Sequence, residues 1–446
     1  MMGKAIERRG NDLVVSAPGP LRGTGAVPGD KSVSHRVLLA GALASGRLEV
    51  HNLSPCGDVA VSRACVEALG VRVDATGECA VVVWGRGPSG LAGAPVRLNC
   101  GRSGTTLRLL AGILAGQERE FILDGDEQLR ARPMDRLVGP LTSLGARVDA
   151  PGGHPPVTGR GGGLKGATVP LRRASAQVGS AVVLAALNAR GTTTVVYPAP
   201  VRDHTEVLLA RLRAPVTRAG CTTRLTGPVT SLAPPPGGLR VPGDISAAAF
   251  LLAAGALVEA SAVTVTGVGL NPGRTGFLRI MAAMGAGLDV RPDPADVWEP
   301  TGTVAVVSGP LEATEVDGPR VPQAIDELPL VAVLATQARG VTRVTGAQEL
   351  RVKESDRLAA IVTGLRRLGA DIRAAPDGFA VRGPTPLVGT AVSGQADHRI
   401  VMALAVAGLV AKGTTRITGA SYVDDSFPGF EAAVNSLAAA SAPAGA

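Results

Sequence analysis

Six apolar blocks of helix length recur along the chain, and each follows a short polar or glycine-rich motif. Residues 37–43, 107–114, 247–258 and 400–410 are examples, and a strand-like segment follows most of the blocks. The motifs surround Lys31, Gly104, Gln177, Ser246, Asp326 and His398. Neighbouring motifs lie about 70 to 80 residues apart, which is long enough for a complete α/β unit. The pattern therefore predicts a sixfold repeat.

Each repeat carries further signals for strands and helix ends. A glycine followed by Thr or Val and a later Val or Ile predicts a strand after the helix, as at 191–196, 340–344 and 413–417. Leu-Gly or Met-Gly predicts the end of a second helix, because glycine is the usual residue after a helix C-terminus. These dipeptides occur at 69–70, 144–145, 284–285 and 368–369. A repeat is thus predicted as strand, helix, strand, helix and further strand.

A chain of 446 residues exceeds the size at which one hydrophobic core usually stops growing, so two domains are expected. The segment Val27–Ser32 closely matches Val241–Ser246, which suggests that each opens one half. We expect three repeats in residues 28–241, and three in 242–446 together with 1–27. The Pro- and Gly-rich stretches 151–163 and 233–238 are predicted to be exposed turns or a hinge region rather than helices or strands.

Amino-acid composition and net charge bear on whether the protein binds nucleic acid or small anions. Apolar residues make up 45% of the chain but aromatic residues only 2%, which favours closely packed helices and gives little support for stacking of nucleic-acid bases. The formal charge of +8 fits nucleic acid or small anionic ligands, yet no dense Lys/Arg run occurs. A nucleic-acid-binding repeat protein is therefore an alternative that rests on net charge alone.

Cysteine usage and the chain start bear on the compartment. The five cysteines are odd in number and lack C-x-x-C spacing, which argues against a disulfide framework and a zinc site. The first ten residues lack the apolar core of a signal peptide, and no apolar block reaches the roughly 18 residues typical of a membrane span. We expect a protein of the reducing cytoplasm.

The motifs themselves carry candidate chemistry. A helix N-terminus presents unpaired N–H groups and a partial positive charge, so it favours anions. Lys31, Ser32 and Arg36 surround one such start, and the glycine turn before Gly104 lets a ligand approach the backbone closely. No Walker loop is present. In the second half, acidic and basic residues crowd around 326–327, 351–357 and 397–399, although mixed-charge runs usually form solvated surface.

In this order and spacing, the motifs resemble those of the 5-enolpyruvylshikimate-3-phosphate synthase family over nearly the whole chain. The matching segments are PGDKSVSHR, GRSGTTLR, RARPM, Ser175-Ala176-Gln177, IDELP, RVKESDR, ADHR and SFPGF. The resemblance implies a two-domain, inside-out α/β barrel with three βαβαββ units per domain, which close on ligands in the cleft between them.

It also implies transfer of the enolpyruvyl group of phosphoenolpyruvate to the 5-hydroxyl of shikimate 3-phosphate, with release of phosphate. No metal or organic cofactor is expected, the partners are the two small anionic substrates, and the chain is expected to be a monomer.

The resemblance implies roles for individual residues. The residues matching the catalytic set are Lys31, Asp326, Glu354 and His398. Those matching the shikimate 3-phosphate site are Lys31, Ser32, Arg36, Ser175, Ala176, Gln177, Arg202, Asp326 and Lys353. Those matching the phosphoenolpyruvate site are Lys31, Gly104, Arg132, Gln177, Arg357 and Arg399. Asp326 corresponds to the acceptor of the hydroxyl proton, and Glu354 to the acid that works at the methylene carbon.

Four positions depart from the family pattern. Arg102 stands where Asn is common, Val201 and Ala176 where some members have Ser, and Asp425 where some have a phosphoenolpyruvate-binding Lys. They leave open a paralogue that acts on a related cyclic alcohol. The related transferase of UDP-N-acetylglucosamine is disfavoured, because the segment around Arg132 lacks that enzyme's catalytic Cys. The small residue at Gly104 implies room for the inhibitor glyphosate.

Overall fold

The computed structural model describes residues 4–294 and 298–439. Their contacts divide the chain into two compact units. One, called here the middle unit, comprises Gly29–Pro242. The other, called the split unit, comprises residues 4–28 together with the described residues from Gly243 onward. The assignment of substrates to the two units stays a prediction.

The elements follow one another in a regular order. Residues 4–28 contain the strands β1 (Ile6–Arg9), β2 (Asp12–Ser16) and β3 (Arg22–Gly25). The middle unit contains α1 (Lys31–Ala42), β4 (Ser45–His51), α2 (Gly57–Ala68), β5 (Arg72–Gly77), β6 (Ala80–Arg86), β7 (Val96–Asn99), α3 (Gly104–Ala115), β8 (Glu120–Asp124), α4 (Glu127–Arg130), α5 (Asp135–Thr142), β9 (Arg147–Asp149), β10 (Val157–Arg160), β11 (Thr168–Pro170), α6 (Ala176–Ala186), β12 (Gly191–Val196), α7 (His204–Arg211), β13 (Val216–Ala219), β14 (Thr222–Gly227) and β15 (Leu239–Arg240). The remainder contains α8 (Ile245–Leu257), β16 (Ala262–Gly269), α9 (Gly276–Ala283), β17 (Gly287–Pro292), β18 (Thr301–Val307), β19 (Leu311–Glu312), β20 (Glu315–Val316), α10 (Arg320–Ala324), α11 (Leu328–Gln337), β21 (Ala338–Val344), α12 (Arg357–Arg367), β22 (Asp371–Ala375), β23 (Gly378–Gly383), β24 (Ala391–Ser393), α13 (His398–Leu409), β25 (Thr414–Thr418) and α14 (Phe430–Ala439). Short 3-10 helices occur at Pro151–Gly153, Gln348–Val352 and Ala420–Asp425.

The strands of the described residues form six sheets with one shared topology. In the middle unit the strand orders are β15-β4-β6-β5, β7-β8-β10-β9 and β11-β12-β14-β13. In the split unit they are β3-β16-β18-β17, β24-β25-β2-β1 and β19-β21-β23-β22, with β20 also paired to β21. The first two strands of each order run parallel, as do β20 and β21, and the remaining pairs are antiparallel. The predicted sixfold α/β repeat is confirmed.

Residues far apart in sequence complete three of the sheets. The N-terminal hairpin β1–β2 pairs with β25 near the C-terminus, and β3 pairs with β16. In the middle unit, β15 at the end of the unit pairs with β4 near its beginning. Each unit is therefore closed by its own first and last strands.

Six helices start at the six motifs and form the interior of the units. They are α1, α3 and α6 in the middle unit and α8, α11 and α13 in the split unit, and nearly all their residues are buried. These helices correspond to the predicted Ala-, Val- and Leu-rich blocks. A helix that is apolar all round must be covered on every side, which explains why they are buried. Within the described chain, no helix combines the length and apolar character that crossing a membrane would require.

The predicted helix ends are confirmed, and one predicted turn is wrong. Gly70, Gly145, Gly285 and Gly369 all have positive φ directly after a helical segment, a conformation that favours glycine. Residues 233–238 form no helix or strand, as predicted. The stretch 151–163, however, contains β10, which pairs with β8 on one side and β9 on the other. A Cβ at Gly159 would lie 2.5 Å from the Phe121 ring, so glycine there allows close packing within the sheet.

Replacement of Gly112 by Ala tests the close approach of α3 and α6. A Cβ at Gly112 would lie 2.1 Å from the carbonyl oxygen of Ala181, which is backbone and cannot move away cheaply. We expect Gly112→Ala to lower stability by about 1–3 kcal/mol or more, although Ala favours helix by about 1 kcal/mol. Gly41→Ala in α1 is the matched control, because its Cβ would meet only side-chain carbons at 3.2 Å or more. Equal melting temperatures for the two variants would contradict this packing.

Candidate active site

The first motif places Lys31 at the first residue of α1. Asp30 caps this helix by accepting a hydrogen bond from the amide of Val33. The Lys31 ammonium lies 3.1 Å from the carboxylate of Asp58 in the first turn of α2, and both side chains are largely buried. Asp58 was not among the site residues predicted from the sequence. Its only sequence signal is an acidic residue at a predicted helix start, which usually serves the helix itself.

Arg36 lies one turn further along α1 and is almost completely buried. Its guanidinium donates hydrogen bonds to the Thr205 hydroxyl, the Ser180 hydroxyl and the backbone carbonyl of Ser32. These contacts join the starts of α1, α6 and α7. Arg36 therefore orients Ser32 as well as contributing positive charge.

Two arginines converge on the start of α3. A Cβ built on Gly104 would lie 2.9 Å from an Nη1 atom of Arg108 and equally close to Nη1 of Arg132. Arg108 donates to the side-chain oxygen of Gln177 at 2.7 Å, and Gln177 donates to the Thr105 hydroxyl at 2.8 Å. The predicted residues Gly104, Arg132 and Gln177 are thus brought together. Arg108, which lies in the same motif but was not among the predicted site residues, links them.

A buried chain of hydrogen bonds connects α1, α2 and α3. His35 Nδ1 lies 2.7 Å from the Ser62 hydroxyl, which lies 2.7 Å from the Thr106 hydroxyl. Thr106 in turn donates to the hydroxyl of Ser103, the residue that caps α3. Because Thr106 donates onward, Ser62 donates to Thr106 and the ring N–H of His35 donates to Ser62. Burial lowers the pKa of His35 to about 3, so the imidazole is neutral.

The loop before α7 is held by a second buried network. Arg218 donates to the backbone carbonyl of Val201 at 2.8 Å and to the Glu206 carboxylate at 3.3 Å. Glu206 also accepts hydrogen bonds from Tyr197 and from the Thr223 hydroxyl. Arg202, the next residue of this loop, lies with a terminal nitrogen 3.5 Å from the Ser32 hydroxyl.

The remaining predicted positions of the middle unit lie at the start of α6. Ser175 caps the helix by accepting from the amide of Val178, and Ala176 is its first residue. Of the departures, Arg102 lies 3.9 Å from the carboxylate of Asp126, which offsets its charge. In the split unit, Asp425 ends a 3-10 helix.

Four of the predicted residues of the split unit meet around one guanidinium. Arg357 is almost fully buried and bonds to Asp326 through Nη1, to Glu354 through Nη2 and to Asp397 through Nε. Burial acts to lower the pKa of Arg357, but these carboxylates outweigh it and raise that pKa above its ordinary value. Lys353 lies 3.3 Å from Asp326, and burial lowers the pKa of its ammonium.

His398 and Arg399 open α13 beside this group. Asp397 caps the helix through the amide of Arg399, and both His398 and Arg399 are buried. Nη1 of Arg399 lies 3.2 Å from the backbone carbonyl of Asp326 and 3.2 Å from the Glu327 carboxylate. The structure thus links Arg399 to the cluster of Asp326, Glu354, Arg357 and Lys353. For His398 it gives a buried position, and the catalytic role stays a prediction.

The described residues contain no group of three His, Cys, Asp or Glu side chains arranged to hold a metal ion. All five cysteines are free thiols, and three of them, Cys56, Cys65 and Cys100, are buried.

Comparison with known proteins gives a consistent result. Residues 15–434 match the model of the family described as EPSP synthase (3-phosphoshikimate 1-carboxyvinyltransferase). The chain is 48% identical over 431 residues to the 3-phosphoshikimate 1-carboxyvinyltransferase of Anaeromyxobacter sp. (strain Fw109-5), covering 95% of this chain and 98% of that protein. It is 45% identical over 421 residues to the enzyme of that name from Geobacillus kaustophilus (strain HTA426), covering 94% and 98%. An EPSP synthase structure from Acinetobacter baumannii superposes with a TM-score of 0.83 at 37% identity, covering 95% and 98% of the two chains.

The neutral, buried His35 predicts a specific pH dependence of stability. The folded protein leaves His35 unprotonated down to about pH 3, whereas the unfolded chain protonates it below its ordinary value of 6.5. Stability should therefore be lost as pH falls from about 6.5 towards 3, by about 1.4 kcal/mol per pH unit from this group. The unfolding free energy, measured with urea, should depend less steeply on pH in His35→Gln. The difference in slope should correspond to one proton over that range. His51→Gln, which alters an exposed ring, is the control. Parallel profiles for the wild type and His35→Gln would contradict this assignment.

Proposed function

The chain belongs to the EPSP synthase family, and on that premise we propose how its two clusters of polar residues divide the reaction. Its activity is that of a 3-phosphoshikimate 1-carboxyvinyltransferase of the shikimate pathway, which uses phosphoenolpyruvate. One observation carries the proposal. The carboxylates of Asp326 and Glu354 are held by adjacent nitrogens of the single buried guanidinium of Arg357.

The middle unit, in this proposal, binds anionic groups of both substrates. Ser32, Arg36, Ser175, Ala176, Gln177, Arg202 and Lys31 hold shikimate 3-phosphate, and Gly104, Arg132, Gln177 and Lys31 hold phosphoenolpyruvate. In support, six of these residues lie at the starts of α1, α3 and α6, where helix N-termini favour anions; they are Lys31, Ser32, Gly104, Ser175, Ala176 and Gln177. The convergence of Arg108 and Arg132 over Gly104 adds two guanidinium groups suited to phosphate or carboxylate.

The split unit, in this proposal, supplies the proton transfers. Asp326 accepts the proton of the 5-hydroxyl as that oxygen bonds to the central carbon of phosphoenolpyruvate. Glu354 delivers a proton to the methylene carbon and removes one when phosphate leaves. Two carboxylates fixed at neighbouring positions can serve as separate base and acid. Lys353 contributes to binding shikimate 3-phosphate, and Arg357 and Arg399 to binding phosphoenolpyruvate.

The alternatives left open by the sequence have no comparable support. The relatives that cover nearly the whole chain carry the name of the 3-phosphoshikimate enzyme, not of a transferase for another cyclic alcohol or for UDP-N-acetylglucosamine. Arg36, Arg357 and Arg399 are buried within polar networks rather than spread over one exposed face. That arrangement favours small anions over nucleic acid.

We also propose that the enzyme is a monomer of the reducing cytoplasm and needs no cofactor. The free thiols of all five cysteines support the compartment. Sedimentation of the purified chain with both substrates present tests the oligomeric state, and a stable dimer would overturn that part of the proposal.

Exchange of the two acids tests the division of roles. Phosphate release with both substrates should fall about 10²- to 10⁴-fold in Asp326→Asn and in Glu354→Gln, because each removes one proton-transfer group. Asp356→Asn is the matched control, since Asp356 caps α12, pairs with Arg351 and is exposed. Asn is also a good cap, so near-normal turnover is expected there. Near-normal turnover in either of the first two variants would refute its assigned role.

The space at Gly104 predicts the response to glyphosate. In Gly104→Ala the new methyl group would lie 2.9 Å from nitrogens of Arg108 and Arg132, so both side chains must shift. We expect weaker inhibition by glyphosate and a raised KM for phosphoenolpyruvate, measured from initial rates at fixed shikimate 3-phosphate. Gly116→Ala, at the far end of the same helix, should leave both values unchanged. Unaltered inhibition in Gly104→Ala would contradict the placement.

A further inference from the structure

One of the six central helices begins differently from the others. Five have an Asp or Ser side chain that accepts a hydrogen bond from a first-turn amide. These caps are Asp30, Ser103, Ser175, Asp244 and Asp397. The sixth helix, α11, has Glu327 at the capping position, and its side chain makes no capping bond. Pro329 lies in the first turn of α11, where its missing N–H leaves one donor fewer to satisfy.

The Glu327 carboxylate instead turns to the starts of two neighbouring helices. Its Oε1 atom accepts hydrogen bonds from the hydroxyl of Ser246 in α8 and from Nη1 of Arg399 in α13. Glu327, Ser246 and Arg399 are all buried. The carboxylate therefore joins the three central helices of the split unit at their N-terminal ends.

A further ion pair supports the same contact from the other side. Arg274 donates to the Ser246 hydroxyl at 2.6 Å and lies 3.4 Å from the Asp244 carboxylate. Because Arg274 donates to Ser246, the Ser246 hydroxyl is oriented to donate to Glu327. The Ser246 hydroxyl, which is itself oriented by Arg274, thus holds the Glu327 oxygen in position beside Arg399.

Removal of the carboxylate would change how Arg399 is held. The same Nη1 atom also contacts the backbone carbonyl of Asp326, a neutral acceptor. A charge-assisted hydrogen bond is shorter and roughly twice as strong as a neutral one. Without the charge of Glu327, the buried guanidinium of Arg399 loses this ion pair and can adopt other orientations within the cluster.

We propose that Glu327 is a positioning residue, which fixes the guanidinium of Arg399 for phosphoenolpyruvate. The inference rests on the proposed role of Arg399 in binding that substrate. Glu327 does not contact the reacting atoms in this proposal, so its effect is selective for one substrate. A merely structural carboxylate would instead affect stability, or both substrates alike.

Steady-state kinetics of Glu327→Gln test the proposal. The amide keeps the shape and one acceptor but removes the charge. We expect the KM for phosphoenolpyruvate to rise about tenfold or more, with kcat and the KM for shikimate 3-phosphate changed by less than about twofold. Glu299→Gln is the matched control, because Glu299 is a buried carboxylate of the same unit that accepts from Asn271. It should leave both KM values unchanged.

Two further variants separate the possible failures. Arg399→Lys should raise the KM for phosphoenolpyruvate; if it does not, the proposed role of Arg399 falls and the inference with it. If Arg399→Lys raises that KM but Glu327→Gln changes both KM values equally, or neither, the inference alone is overturned. Should Glu327→Gln fail to fold by circular dichroism, Glu327→Asp retains the charge on a shorter side chain. A selective rise in the KM for phosphoenolpyruvate in Glu327→Asp supports the proposal, and unchanged kinetics overturn it.

Discussion

The structure depends on the burial of six largely apolar helices whose polar residues lie mostly in their first two turns. The first-turn N–H groups of a buried helix cannot bond to water, so each needs a partner supplied by the chain. Asp and Ser caps meet that need in α1, α3, α6, α8 and α13. The same constraint gathers Lys31, Gln177 and Arg399 at these ends, because few polar side chains occur further along each helix. Structural capping and candidate chemistry therefore occupy the same short segments.

Placing several charges at such ends requires that they compensate one another. An isolated buried guanidinium would be strongly unfavourable, whereas Arg357 is surrounded by three carboxylates and Arg36 by two hydroxyls and a carbonyl. The compensation also removes rotational freedom, so the groups are held in position before any substrate binds. A polar site of this kind is preorganised, which is what electrostatic stabilisation of a reaction requires.

Sequence patterns predicted the parts of this arrangement that are local. The repeat, the six helix starts and the glycine helix ends follow from periodicity and from the conformational preferences of single residues. The partners across elements did not follow: Asp58 for Lys31, Arg218 for Val201 and Glu327 for Arg399 are contacts between segments far apart in sequence or in different helices. Strand β10 was missed for a related reason. The Gly and Pro content of the stretch 151–163 suggests turns, and the pairing of β10 with β8 and β9 is what makes part of it a strand.

The departures from the family pattern can be weighed by the same physical argument. Val201 is held through its backbone carbonyl by Arg218, so the loop keeps its anchor whichever side chain occupies the position. Arg102 lies near Asp126, which reduces the field that its charge exerts on neighbouring groups. Neither Val201 nor Arg102 is a partner in the hydrogen bond between Arg108 and Gln177 or in the ion pairs of Arg357. A residue that contacts a polar cluster through its backbone, or whose charge is paired with one neighbour, can therefore be replaced with little effect on the cluster. A residue whose side-chain charge has partners in several elements cannot.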